Sequence, residues 1–534
     1  MPTQKIHFTP DQIPAVRDAM PVFKLGDQVM APTNVMQQML RVAAPNAGMK
    51  PMGNSGVSLA RDRERVVAMV NQKTGESKLF PSLEGLKDGQ NLATKAKTVA
   101  AKFAADRSLF PDDSTKVFTL NPVSLLKSVH TPDGRGALPL QVLSYVRFQR
   151  QVNGMRVFGP GTRGLIAVGA DEAVHAFSHR WKRALPIAEI AKPVSRDEIA
   201  KSILAQLAPS AKTADVRVDK VRVCYYDTGQ HFIQPTYRFE ATLLTPHAID
   251  RKQLPANRHV FGYVPIGLAP EPVPTLGTRK GKPPVAAAAG HHANPAPNAL
   301  PPGDPTVGRY VVRNDTDEWY ISADEFMDSL KLAQAFGGIP FTDSQYFWAE
   351  PRLFTTEKDS FINSVQIALN EVHGNWWYFT TRDNADDGVS LTSIPASGYG
   401  GASNQALAYW ILHSCEILPT QTDESASFDV WWNIFNGLHA VAGYRTEMWI
   451  DDDVMGPFGF AIGLGASFVP AWLNEVVSND SYDDGDTYHD DNRNMTEPMG
   501  RASAIAVTGH GNDPVNQVTP LGRAQSLTEW WFDN

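Results

Sequence analysis

Residues 367–379, IALNEVHGNWWYF, and residues 407–418, LAYWILHSCEIL, decide how this chain folds. Each reads as an apolar strand, of the kind buried on both faces in a parallel sheet. The first ends at His373–Gly374 and the second at Ser414–Cys415. In open α/β sheets functional groups gather just beyond the carboxyl ends of the strands, so two parallel strands with these endings bring His373 and Cys415 to one edge. A cysteine attacks as its thiolate, and a neighbouring imidazole supports that thiolate and then protonates the leaving amine. The backbone amides of Gly374 and Cys415 are natural donors to a tetrahedral oxyanion.

The flanking sequence alternates strand and helix patterns. GRYVVRN (308–314) precedes a helical SADEFMDSLKLAQAF (322–336), the run ending at Cys415 precedes a helical SFDVWWNIFNGL (427–438), and AVAGYRTEMWI (440–450) precedes one long helix over 458–477, with ASAIAVTGHG (502–511) last. Such alternation predicts an α/β domain over 308–534, a mainly parallel sheet sandwiched by helices. Residues 265–307 are crowded with Pro, Ala and Gly and hold few large apolar residues, which predicts an interdomain linker. Before it lies an N-terminal segment, 1–104, with a helix expected from about residue 91, and an α+β region over 105–264. The latter has hairpin signals at Asn153–Gly154 and at Gly169–Glu172, and a capping box from Ser195 to Glu198 ahead of Ile199, Ile203 and Leu207.

Length and composition narrow the function. At roughly 150 residues per domain, 534 residues make two to four units. A net charge of -8 with no Lys/Arg cluster argues against nucleic acid or an anionic membrane as partner. No signal pattern is visible and no stretch of about 18 uninterrupted apolar residues occurs, so the chain reads as soluble with its compartment unknown. Two cysteines, Cys224 and Cys415, exclude a disulfide framework or a Cys-rich zinc site.

An apolar strand ending in His-Gly followed by one ending in a small residue and Cys resembles the signature of the clan CD cysteine peptidases: caspases, legumains, gingipains, clostripain and the CHAT proteins. The separation here is 415 − 373 = 42 residues, similar to theirs. Residues 308–534 also resemble DUF6345, an uncharacterised family with the same His-Gly and Ser-Cys blocks. The resemblance implies a caspase-like fold, with Cys415 the nucleophile, His373 the acid/base and Gly374 an oxyanion contributor. Two positions depart from the pattern: Val372 stands where a small residue is common, and His413–Ser414 replaces the usual acidic or small pair. In the N-terminal half, Arg147, Gln149, Val152–Asn153–Gly154, Val157 and Gly159 resemble the FTP segment of thermolysin-type propeptides, and YYDTGQHFIQPTYRF (225–239) resembles the PepSY module that follows it. That implies an inhibitory chaperone packing in cis on the C-terminal domain. The chain has no His-Glu-x2-His, so the zinc chemistry of those families is absent.

Weaker constellations complete the expectations. Asp480, Asp483, Asp484 and Asp486 form a solvated acidic loop or, alternatively, a calcium site; no other cofactor is required. Asp451, Asp452 and Asp453 are candidates to line a pocket for a basic substrate side chain. His510, also at a strand-end His-Gly, rivals His373. The aromatic groups NWWYF, VWWNIF and EWWF read as core and lid packing. The expected function is a cysteine peptidase acting on a peptide or protein. Set against it are an amidase or transpeptidase using the same dyad, a non-catalytic glycan- or protein-binding relative, and a small-molecule cyclase.

Overall fold

The structure is a computed structural model, and it describes residues 6–16, 20–28, 32–53, 55–89, 91–134, 136–191, 193–212, 214–244, 258–267, 270–276, 281–287, 304–313, 319–382, 387–401, 407–423, 428–450, 453–479, 482, 487–490 and 495–533. Its main elements, in chain order, begin with β1 (Met20–Gln28), α1 (Pro32–Ala43), β2 (Val57–Asp62), β3 (Arg65–Asn71), β4 (Glu76–Leu79) and α2 (Leu92–Asp106). Next come β5 (Val123–His130), β6 (Leu140–Val152), β7 (Thr162–Gly169), β8 (Val174–Ala191), α3 (Arg196–Leu207), β9 (Asp215–Asp227), β10 (Phe232–Leu244) and β11 (Arg258–Pro265). The C-terminal half holds β12 (Thr306–Val311), α4 (Trp319–Ala335), β13 (Thr342–Trp348), β14 (Ile367–Glu371), β15 (Tyr409–His413), β16 (Ala440–Tyr444), α5 (Met455–Leu464), α6 (Phe468–Ser478), β17 (Ala502–Val507) and β18 (Leu527–Asp533).

The architecture is mixed α/β. Five strands run parallel in the order β13-β12-β14-β15-β16; β12, β14, β15 and β16 follow the apolar runs and are buried along their whole length, whereas the polar, partly exposed edge strand β13 was not signalled. The sheet does not stop there. β17 and β18 continue it antiparallel, and β18 pairs over seven residues with β5, joining it to β6, β7, β8 and β4 of the N-terminal half. The long β8 also borders a second sheet through β1, which meets β10, itself flanked by β9 and β11.

Three expectations need correction. Among the described residues, helices do not cover both faces of the parallel strands: α4, α5 and α6 cluster on one face, where Phe458 meets Phe326 and Trp472, and Tyr409 and Tyr444 meet Phe468 and Trp472. The other face, carrying Tyr310 and Trp410, is closed by Phe354, Phe379 and Tyr399 from turns and short strands. The long helix over 458–477 is two helices, because Gly465 adopts φ +102° and ends α5. The helix expected over 427–438 shrinks to Trp431–Ile434 before Phe435–Asn436 turns into a short strand.

The N-terminal patterns hold locally. Ser195 and Glu198 form the reciprocal cap of α3, and the chain folds back at Asn153–Gly154 and across Gly169–Glu172. Within the Pro- and Ala-rich stretch, the described residues touch the fold: Val285 bridges to the β13 edge at Tyr346 and Trp348, and Leu276 bonds to Gln206 of α3. No helix among the described residues is long and apolar enough to cross a membrane.

Candidate active site

β14 and β15 pair in parallel from Ile367 opposite Tyr409 to Glu371 opposite His413. The Val372 amide still reaches the His413 carbonyl at 3.4 Å. His373 and Cys415 each follow the last paired position of their strand by two residues, so both lie beyond the carboxyl edge of the sheet. The segments remain in contact past the strand ends: a Cβ on Gly374 would meet Ser414 Oγ at 2.1 Å and the Cys415 carbonyl oxygen at 2.5 Å. Glycine is therefore required for this close approach. His373 is buried, with the edge of the Trp319 ring, at the start of α4, 5.1 Å from its own.

Cys415 is only 6% exposed. Its sulfur accepts a hydrogen bond from the Met448 amide at 3.4 Å, and its thiol faces the Met448 carbonyl at 3.8 Å. Burial pushes this thiol well above its ordinary pKa; the Glu447 carboxylate pushes it further, the Met448 amide offsets part, and Glu416 adds to the rise. In this conformation the sulfur is a thiol at neutral pH.

The segment pressed on the sulfur is held from the N-terminal half. His259 of β11 is hydrogen-bonded through Nε2 to the Glu447 carboxylate, the His259 carbonyl accepts from the Ile450 amide at 3.2 Å, and Trp449 packs against the rings of His259 and Phe261. Glu416 accepts from the Tyr488 hydroxyl at 2.8 Å. None of these partners is signalled by a motif. A further pair lies one layer inside the sheet: His413 Nδ1 and Glu371 Oε2 are 2.6 Å apart, neither side chain reaches solvent, and Ser322 Oγ donates to Glu371 at 2.8 Å. A charged residue and a histidine interrupting two apolar strands at matching positions was the signal available for it.

The remaining candidates separate. Asp453 is half-buried with a left-handed backbone, φ 59°, just ahead of α5. Asp451 and Asp452 lie outside the described residues, as do Asp480, Asp483, Asp484 and Asp486. His510 cannot stand in for His373: it follows β17, which runs opposite to the parallel strands, and so lies at the other edge of the sheet, with Asp513 and His439. Cys224 is a buried strand residue beside the Thr236 hydroxyl, its thiol pushed up to about 11 by burial. Trp431, Trp530 and Trp531 are buried in the core.

Comparison with known proteins is sparse. Residues 339–506, under a third of the chain, match the family described as "Domain of unknown function (DUF6345)". No curated protein matches the sequence. Among solved structures, an uncharacterized protein from Eubacterium rectale is 9% identical with a TM-score of 0.28, the match covering 49% of this chain and 88% of that one. A secreted C11 cysteine protease from Bacteroides thetaiotaomicron, "iotapain", is 13% identical with a TM-score of 0.26, over 39% of this chain and 67% of its own. The DUF6345 match spans both β14 and β15, and with them His373 and Cys415.

Proposed function

We propose that the chain is a cysteine peptidase held in a resting form. The observation that carries this is the parallel register of β14 and β15, with Gly374 seated against Ser414–Cys415 beyond it. In the reaction, Cys415 gives its proton to His373 and its sulfur adds to a peptide carbonyl; the tetrahedral intermediate collapses, His373 protonates the departing amine, and a thioester remains. Water, deprotonated by His373, then hydrolyses the thioester and restores the thiol. This cycle uses no cofactor. It needs the 445–450 segment to leave the sulfur first, since burial and two carboxylates now keep it protonated. We further propose that the propeptide-like N-terminal region maintains this resting form in cis through His259 and Glu447.

The shielded thiol also favours a second reading, a relative that keeps the fold and binds a protein or glycan without cleaving it. Alkylation of the folded chain at neutral pH, mapped by mass spectrometry, separates the two, with buried Cys224 as internal control. A peptidase predicts that in a His259→Ala variant, which loosens the hold on the 445–450 segment, Cys415 is modified faster than Cys224 and that adding His373→Ala removes the difference. Equal inertness of both cysteines in the His259→Ala variant as well as in the native chain overturns the peptidase reading.

A further inference from the structure

At the sheet edge opposite Cys415, His439, His510 and Asp513 converge, with one donor atom of each lying within 4.8 Å of the others. We infer that these three side chains form a binding site for a divalent transition-metal ion of the zinc type. The topology builds the cluster. His439 immediately precedes β16, His510 follows β17, and because those strands are antiparallel the two residues meet at one edge; the Val507 amide bonds the His439 carbonyl at 3.0 Å. The turn from His510 is closed by the Asp513 amide on the His510 carbonyl at 3.2 Å, and the Asp513 carbonyl is fixed by the Phe468 amide at the start of α6 at 3.0 Å. The length of β16, about 16 Å at 3.2–3.4 Å per residue, separates this cluster from the Cys415 edge.

The donor chemistry points to a metal. His439 Nε2 is 2.8 Å from the Thr519 carbonyl, which can only accept, so that nitrogen carries a proton and Nδ1 is the atom left to face a metal, an incoming ion displacing any proton it shares with Asp513. This is the outer hydrogen bond that orients metal-ligating histidines. His439 Nδ1 then faces Asp513 Oδ2 at 2.7 Å, and His510 Nδ1 faces the same oxygen at 2.8 Å. Two imidazole nitrogens and one carboxylate oxygen are a borderline donor set suited to Zn2+, and three protein ligands leave a fourth position for water. His510, 36% exposed, opens that position to solvent, whereas His439 is buried. Donors around one tetrahedral ion stand about 3.4 Å apart, so binding requires the Asp513 carboxylate to part from both imidazole nitrogens by roughly 0.6–0.7 Å. The bound ion would tie the Gly509–Asp513 turn to the base of β16.

The test is titration of the untagged, chelator-treated full chain with Zn2+ by calorimetry, beside the surface variant His510→Gln and the near-isosteric Asp513→Asn. One equivalent bound by the native chain with a rise in Tm is expected, with affinity lowered in each variant by at least the 10–100-fold that even outer partners of a site command, roughly. Co2+ should produce visible absorption bands in the native chain that are absent in His510→Gln. Zn2+ binding that survives both substitutions overturns the site. So does a native chain that takes up no Zn2+ while Asp513→Asn still loses stability; the cluster is then a hydrogen-bonded clamp around an imidazolium.

Discussion

His413 Nδ1 and Glu371 Oε2 stand 2.6 Å apart at the last paired position of two adjacent parallel strands, fully buried, two residues before Cys415 and His373 along their respective strands. A buried pair of this kind is worth little against an apolar replacement of both members, but removing one member strands the other. Glu371→Ala should therefore cost about 3–5 kcal/mol in urea unfolding, the range for breaking a buried ion pair. Replacing both residues by apolar ones of similar volume should recover much of that loss.

Gly374→Ala tests the close approach of the two motif segments. The added methyl falls 2.5 Å from a backbone carbonyl, which cannot rotate away as a side chain can. Destabilisation of about 1–3 kcal/mol is expected, as for other overpacked sites. Chemical shifts or fluorescence changes should centre on Trp319, whose ring borders both His373 and His413.

The two halves of the chain share a buried charge pair. Lys78 Nζ of β4 lies 2.8 Å from Glu475 of α6, both essentially inaccessible, with Arg163 of β7 at 3.7 Å. Lys78→Met leaves Glu475 with a poorer partner and should cost about 3 kcal/mol or more. Because the pair spans N- and C-terminal halves, the loss should appear in every probe of unfolding, in a transition that stays common to both.

Acid should weaken the fold in two separate windows. His179 is buried with its Nε2–H on the Leu109 carbonyl, and burial lowers its pKa from 6.5 to about 4. The unfolded chain binds that proton first, so the stability contributed by the neutral ring is intact above pH 6.5 and is lost as pH falls toward 4, by up to about 3 kcal/mol. Burial alone would raise Glu76, but Lys78, Arg163 and Arg180 hold it down to about 2, so its contribution is lost only as pH falls below 4.5. Tm measured against pH should show both falls, and His179→Gln should reduce the first, to which His130, also lowered by burial to about 4, contributes the remainder.

What the sequence revealed of this fold follows its periodicity. Runs such as 367–369 and 409–412 are apolar at successive positions, which is legible because both faces of these strands are buried. The helix break at Gly465 lay inside an apolar stretch where helix and turn look alike, and only the left-handed backbone decides it. EWWF near the end of the chain reads as core and lid packing; it is buried, as β18, whose pairing with β5, some four hundred residues earlier, leaves no local trace. The same holds at the candidate site. His373 and Cys415 announce themselves by strand endings, whereas the Met448 amide and His259 reach the sulfur's surroundings through tertiary packing alone.

β18 is bonded along both sides, to β17 on one and to β5 on the other. A strand engaged on both edges cannot be withdrawn without breaking two ladders together. Cutting the chain between its halves would thus yield a noncovalent heterodimer, much like a split protein whose fragments complement one another, rather than two free pieces. Unmasking Cys415 then becomes a question of hinging the 445–450 segment in place, and the two halves would be inherited by the working form as permanent partners.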